Sequence, residues 1–346
     1  MITIKEIAEE AGVSIGTVDR VLHKRGRVAL ETERKIRQII KESGYSQNLF
    51  ASNLAKSRKT YNFAVLVPRL GQDSAYWSLV RSAIDSAAAE LKSFNIHITL
   101  TEFDRFDEDD FRRAYAEVAS GNHDGVFMAP VISGTAEECL KENPLRVPFA
   151  FFDSDIPDSG RLFFIGQDSL QGGRIGGKLI HLLAGDSGDV AVTRMMPEGY
   201  HINDRVKGFR DYFKNIPGIR IHEIRIDYTD FRKNITAACR EIKEKLPDIK
   251  GLFVTNANSH YFVENIREIM PDRHINIVGF DLVEENRKCL ISGEIDFLIS
   301  QNPENQASKG LELLSKALLL KKHTVDRYML PLDIITKENL QPDQLP

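Results

Sequence analysis

The stretch that decides the reading is Ile4-Lys5-Glu6-Ile7-Ala8-Glu9-Glu10-Ala11-Gly12-Val13-Ser14, continued by Ile15-Gly16-Thr17-Val18-Asp19-Arg20-Val21-Leu22-His23. Ile4, Ile7, Ala8 and Ala11 recur at i, i+3, i+4 and i+7, the spacing of one helix face. Gly12 breaks that helix. Ser14 is a good N-cap for a second one, which carries Val18, Val21 and Leu22. Two short helices joined by a tight glycine-containing turn match the helix-turn-helix pattern. A third helix is predicted from Glu31 to Ser43, with Ile36, Ile39 and Ile40 inward and Gly44 as its stop. Three such helices enclose one small core and turn Ile15, Gly16, Thr17 and Arg20 outward.

Charge separates this head from the rest. Residues 1–59 hold 12 Lys+Arg against 7 Asp+Glu, whereas the remainder holds 34 against 43. A basic head on an acidic body predicts that only the head meets a polyanion. The length of 346 residues predicts two or three domains. No apolar run approaches the roughly 18 residues of a membrane helix. Met1–Glu10 lacks the basic start and apolar core of a secretory signal. Cys139, Cys239 and Cys289 are far apart and form no C-x-x-C pair, which argues against a disulfide scaffold or a zinc site. A cytoplasmic protein without membrane contact, metal or cofactor is therefore expected.

Beyond Lys59 the texture changes to alternating strand-like and helical runs. Tyr61–Pro68, Ile96–Phe103, Asp124–Pro130 and Pro148–Asp153 read as strands, with helical patterns at Ser74–Phe94 and Phe111–Ser120. A second set begins near Gly185: strands at Asp189–Met195, Ile219–Ile226, Gly251–Thr255, Ile275–Phe280 and Ile295–Ser300, and a helix at Asp204–Lys214. Two doubly wound parallel sheets are predicted, with a cleft at the carboxyl ends of their strands.

The head resembles the DNA-binding domain of the lactose-repressor/galactose-repressor (LacI–GalR) family of bacterial transcription regulators. The resemblance rests on Ile4 through Ser14, then Thr17-Val18, Arg20-Val21-Leu22, Val28, Thr32, Gly44-Tyr45 and Asn48-x-x-Ala51-x-x-Leu54. It implies a second helix in the major groove of double-stranded operator DNA. Arg20 would then donate two hydrogen bonds to a guanine, and Ile15 would pack on a thymine methyl. Gly16 offers no side chain. Ser14, Thr17 and Thr32 would contact phosphates, which set register. Asp19, His23 and Gln47 stand where relatives commonly carry Ser, Asn and Pro. Asn48, Ala51 and Leu54 would belong to a hinge helix, with Leu54 the wedge that opens a base step. Operator symmetry implies a homodimer.

The body resembles the family's effector domain, a type I periplasmic-binding-protein-like fold. The matches are Arg205-x-x-Gly208-Phe209, Val278-Gly279-Phe280-Asp281, Ala257-Asn258 and the segment from Gln301. The implied organisation is a head at 1–47, a hinge and linker at 48–59 and an effector domain at 60–346. Within the last, one subdomain takes about 60–167 and 301–328, the other about 168–300 and 329–340. Sugar hydroxyls both donate and accept, so their site needs carboxylates, amides and a guanidinium. Asp153, Arg205, Asn256 or Asn258, Asp281 and Gln301 supply these from strand ends. Tyr76 and Trp77, expected on a loop bordering the cleft, would cover the sugar's apolar face.

Three patterns imitate other chemistry. Gly12-Val-Ser14-Ile-Gly16 fits G-x-S-x-G, but a nucleophile elbow follows a strand and this follows a helix. Gly172–Lys178 nearly fits a phosphate loop, but Leu179 replaces the Ser/Thr that holds magnesium. Close helix packing explains its glycines better. Asp107-Glu108-Asp109-Asp110 at a helix start suits the helix dipole. The reading expected is a sugar-controlled, repressor-type transcription regulator. A sugar-binding transport component has no use for a DNA head, and an enzyme finds no triad, phosphate loop or metal set here.

Overall fold

The structure is a computed structural model that describes residues 4–23, 26, 28–42, 59–72, 74–196, 200–320 and 325–341. The chain divides into two compact units, Met1–Arg58 and Lys59–Pro346.

The first unit holds α1 (Ile4–Ala11), α2 (Ile15–His23) and α3 (Leu30–Glu42). Gly12 ends α1 at φ 69°, a left-handed value open to glycine at no steric cost. The Val13 amide donates to the Ala8 carbonyl at 2.9 Å and so closes the helix end. Ser14 starts α2 by accepting the Thr17 amide at 3.2 Å. Ile7, Ala8, Ala11, Val18, Val21, Ile36 and Ile39 form the buried core.

The second unit contains two six-stranded sheets. The first half runs β1 (Tyr61–Pro68), α4 (Tyr76–Lys92), β2 (Ile96–Phe103), α5 (Glu108–Ser120), β3 (Gly125–Met128), α6 (Ser133–Glu142), β4 (Phe149–Phe152) and β5 (Phe164–Gly166). The second half follows with α7 (Ser169–Ala184), β6 (Gly188–Met196), α8 (Tyr200–Phe213), β7 (Ile219–Asp227), α9 (Phe231–Lys245), β8 (Ile249–Phe253), α10 (Ser259–Ile269), β9 (Asn276–Phe280), α11 (Glu284–Ser292) and β10 (Phe297–Ser300). Then α12 (Pro303–Leu320) returns to the first half, β11 (Arg327–Met329) joins its sheet and β12 (Asp333–Ile335) joins the second. The strand orders β11-β5-β4-β3-β1-β2 and β12-β10-β9-β8-β6-β7 are the same arrangement twice. All pairs are parallel except β10 with β12. Two doubly wound parallel sheets are what the sequence predicts, and β12 adds one antiparallel edge strand to the second. The antiparallel β12 follows from a short final crossover, which lays the chain back along β10.

The Gly172–Gly177 run lies on α7, where it lets helices approach. A Cβ on Gly173 would collide with the backbone of Arg205 on α8, and one on Gly176 with the Phe253 ring. Gly208 on α8 is pressed in turn against the Leu170 carbonyl. We expect Gly173→Ala to cost about 1–3 kcal/mol, because overpacking outweighs the helix-propensity gain of about 1 kcal/mol. Gly134→Ala, where nothing lies within 4 Å, should be neutral or slightly stabilising. Denaturant midpoints of the two variants decide it, and an equally stable Gly173→Ala would contradict the close-packing account.

The acidic quartet serves the start of α5. Asp107 accepts the amides of Asp109 and Asp110 at 2.9 and 3.1 Å. Asp110 is buried and pairs with Arg69 at 2.8 Å and with Arg113.

Candidate functional site

In the head, α2 presents Ile15, Gly16 and Arg20 to solvent, with Thr17 half-buried beside them. Ile15 is 53% exposed and stands outside the head's buried core, which leaves an apolar side chain on the outer surface of α2. The Ser14 hydroxyl is partly committed, since it caps α2 and lies 3.0 Å from the Thr17 hydroxyl. Thr32 is half-buried in the first turn of α3. The expected hinge positions Asn48, Ala51 and Leu54 lie outside the described residues, as does the side chain of His23.

In the second unit, Tyr76, Trp77, Asp153, Arg205, Asn256, Asp281 and Gln301 line one cavity between the two halves. Ser74, Arg105, Met195, His201 and Tyr228 also line it, and the sequence reading did not find them. The two aspartates occupy matching places in the two halves. Asp153 follows β4 and Asp281 follows β9, each the third strand from the β2 or β7 edge of its order excluding that edge. Both have left-handed backbones, φ 63° and 60°, which Asp tolerates better than most residues. This turn lifts each carboxylate out of its sheet and over the strand ends.

Arg205 is 1% exposed, so it is no solvent-facing helix charge. Its Nη1 donates to the Thr255 carbonyl at 2.7 Å and its Nη2 to Gln301 Oε1 at 2.9 Å. The guanidinium carbon lies 3.7 Å from the centre of the Phe280 ring. Gln301 Nε2 donates to Asp281 Oδ2 at 2.9 Å, so this amide bridges cation and carboxylate. Gln301 sits at the crossover between halves. Its carbonyl accepts Gln306 Nε2 at 2.9 Å, and Gln306 Oε1 accepts the Asp153 amide at 3.1 Å. One hydrogen-bonded chain thus joins the anchors of both halves. Tyr76 donates its hydroxyl to Asp153 Oδ1 at 2.8 Å.

Burial governs the charge states. It pushes the Asp281 carboxyl up to about 6, against the opposing pull of Arg205 and of the Gln301 hydrogen bonds. It raises Asp153 as well, opposed by the Tyr76 hydroxyl and Arg205. His201 is held well below its ordinary value by burial, then by Arg205 and Arg105, so its imidazole is neutral at pH 7. Trp77 Nε1, His201 Nδ1 and Arg205 Nε are buried with no hydrogen-bond partner among the described residues. Unpaired buried polar groups are costly, so this lining is suited to a ligand rich in hydroxyls.

Two expectations need correction. Trp77 is not on a loop; it occupies the first turn of α4 and is 3% exposed, edge-on to Tyr76 and to Phe152. Ser74, where the sequence places the start of this helical stretch, accepts the Tyr76 amide at 3.3 Å just ahead of it. Asn258 does not reach the cavity. It is wholly buried just before α10, and its amide donates to Asn256 Oδ1 at 3.3 Å while Asn256 faces the cleft. Arg105 and Tyr228 stand just past β2 and β7, at strand ends where a cleft residue is expected. His201 and Gln306 carry no comparable signal.

A helix-turn-helix head followed by a two-lobed α/β unit with a polar cleft defines a ligand-responsive DNA-binding regulator. The chain belongs to the lacI family of bacterial regulatory proteins: that family's model matches residues 3–48, and a periplasmic binding protein domain matches residues 63–322. It is a transcriptional regulator of that family. The HTH-type transcriptional regulator DegA of Bacillus subtilis is 27% identical over 292 residues, 81% of each chain. A Bacteroides fragilis structure assigned to the LacI transcriptional regulators superposes with a TM-score of 0.74 at 28% identity, covering 81% of this chain and 98% of that one. GanP, a glucose-galactose binding protein from Geobacillus stearothermophilus, shares the fold at a TM-score of 0.71 and 22% identity, over 82% of this chain and 99% of that one. Among the described residues no helix is long and apolar enough to cross a membrane.

Proposed function

We propose that this regulator is a cytoplasmic homodimer of the repressor type, whose operator affinity is set by a sugar or sugar derivative bound between residues 60–167 and 168–300. The observation that carries the reading is the pair Asp153 and Asp281, one from each half, over a single cavity that also holds Arg205. Groups from both halves give a ligand differential affinity for the closed cleft, and only such a difference can shift a conformational equilibrium. The glucose-galactose binder among the fold's neighbours supports a sugar. Residues 1–47 read the operator and 48–59 form the hinge, with Asn48, Ala51 and Leu54 in the minor groove. Ligand affinity and operator affinity then shift by one shared factor, typically 5–150-fold.

Two measurements test the proposal. A thermal-shift panel of monosaccharides and sugar acids should show a rise for at least one, and that compound should change a gel shift on the chain's own promoter DNA. A stabilising sugar without effect on DNA binding would contradict the coupling. In the head, Arg20→Ala should cost about 1–3 kcal/mol on the specific site and relax the choice of one base pair. Equal loss on operator and random DNA would make Arg20 a phosphate contact.

A further inference from the structure

The two halves of the second unit also touch at one turn beside the cleft. Arg105 and Phe106 follow β2 in the first half, and Tyr228 follows β7 in the second. The Phe106 and Tyr228 ring centres are 5.1 Å apart with planes at 43°. The Arg105 guanidinium carbon lies 5.4 Å from the centre of the same Tyr228 ring. Both sides of this contact are held by their own half. The Arg105 amide donates to Gln72 Oε1 at 3.1 Å and the Phe106 amide to Asp104 Oδ1 at 2.9 Å. Opposite, Tyr228 stacks on Phe231 at 5.1 Å and 16°, and its hydroxyl accepts Asn256 Nδ2 at 2.8 Å. Phe106 is 43% exposed. A large apolar ring that packs across a cleft is explained poorly by the stability of its own half.

We propose that the Arg105–Phe106 turn is a latch: a closing contact, supplied by the protein itself, that holds the halves together over the cleft and sets how far the effector must shift the closure equilibrium. An aromatic pair and a cation over an aromatic face are both attractive. A contact made only in the closed form raises the closed fraction. Apparent ligand affinity scales with the fraction that is binding-competent, so Phe106, which does not line the cavity, tunes the response through closure alone. Phe106 is a positioning residue here, acting through Tyr228. Its consequence for the response rests on reading the cleft as the effector site, but its test does not need the effector.

Trp77, the only tryptophan, lines the cleft and is 3% exposed, so its quenching reports opening. The experiment is acrylamide quenching of the full-length chain without added sugar. Wild type should be weakly quenched, and Phe106→Ala should raise the quenching constant about threefold or more, with an unchanged far-UV spectrum. Phe106→Tyr keeps the ring and should restore the wild-type value. Arg105→Met removes the charge over Tyr228 and should fall between. Equal quenching of Phe106→Ala and wild type overturns the latch, as does wild-type quenching like that of free indole, or a rise for Phe106→Tyr as large as for Ala. These outcomes leave the effector site standing, since that reading is judged by sugar binding and by Arg205.

Discussion

Arg205→Ala is expected to weaken effector binding at least about 100-fold while operator affinity of the ligand-free protein stays within about twofold. The fold-change corresponds to about 3 kcal/mol, the range for charge-assisted bonds made by a planar fork. The guanidinium bridges Thr255 and Gln301 and lies on Phe280, so its orientation is fixed before a ligand arrives. Truncation removes that fork and leaves Asp281 and Asp153 buried without their main positive neighbour. Breaking such an arrangement costs about 3–5 kcal/mol of stability, so the melting temperature should fall as well. Arg205→Lys separates the two effects. It returns the charge, and with it part of the stability, but cannot reproduce both bonds, so binding should remain at least tenfold weak. The outcome is a regulator fixed in its ligand-free DNA affinity. Calorimetry with the stabilising sugar and operator titration of the same variants read it out. Undiminished sugar affinity in Arg205→Ala would remove this residue from the site.

Much of this site could be read from the chain because strand ends are legible. Tyr61–Pro68 and Ile96–Phe103 are strands with the bounds the sequence predicts, since eight-residue apolar or alternating runs carry a clear period. Asp153 and Asp281 each close such a run, and an acidic residue at a strand end stands out. The three-residue strands β5, β11 and β12 carry no period and were not visible. The Gln301–Gln306–Asp153 chain was only half visible, because Gln306 is a buried polar residue on a largely apolar helix face. What makes it acceptable there is its partners in two other segments, and those are a tertiary fact. The correspondence between Gln167 after β5 and Gln301 after β10 emerges only when the two strand orders are compared; the two amides then stand 3.5 Å apart at neighbouring crossovers.

Asp281→Asn should flatten the pH dependence of the ligand-free protein's stability and make the regulator unresponsive. Burial raises the folded carboxyl from 3.8 to about 6. A folded value above the unfolded one means that the fold holds a proton the unfolded chain releases. Stability therefore falls as pH rises from about 4 to about 6 and is flat above, by at most about 3 kcal/mol at 1.36 kcal/mol per unit. Asp153, raised by the same cause, adds to the same slope. The amide avoids the buried charge. It gives back part of the gain because its NH₂ meets Gln301 Nε2 where a carboxylate oxygen accepted, at 2.9 Å, in the wild type. The loss of Asp281 also leaves the buried Arg205 guanidinium with Asp153 as its remaining carboxylate, which offsets the rest of the gain, so the expected change is a shallower decline between pH 4 and 6 rather than a net rise at pH 7. Binding has the opposite sign. Sugar hydroxyls donate to the ionised carboxylate, so wild-type affinity should rise with pH through about 6 and be about tenfold weaker at pH 5 than at pH 7. Asp281→Asn should lose that dependence together with about 30-fold or more in affinity. Denaturant melts and calorimetry at three pH values test both halves of the argument. A wild-type affinity independent of pH between 5 and 7 would show that the ligand does not rest on this carboxylate, whatever the stability curve does.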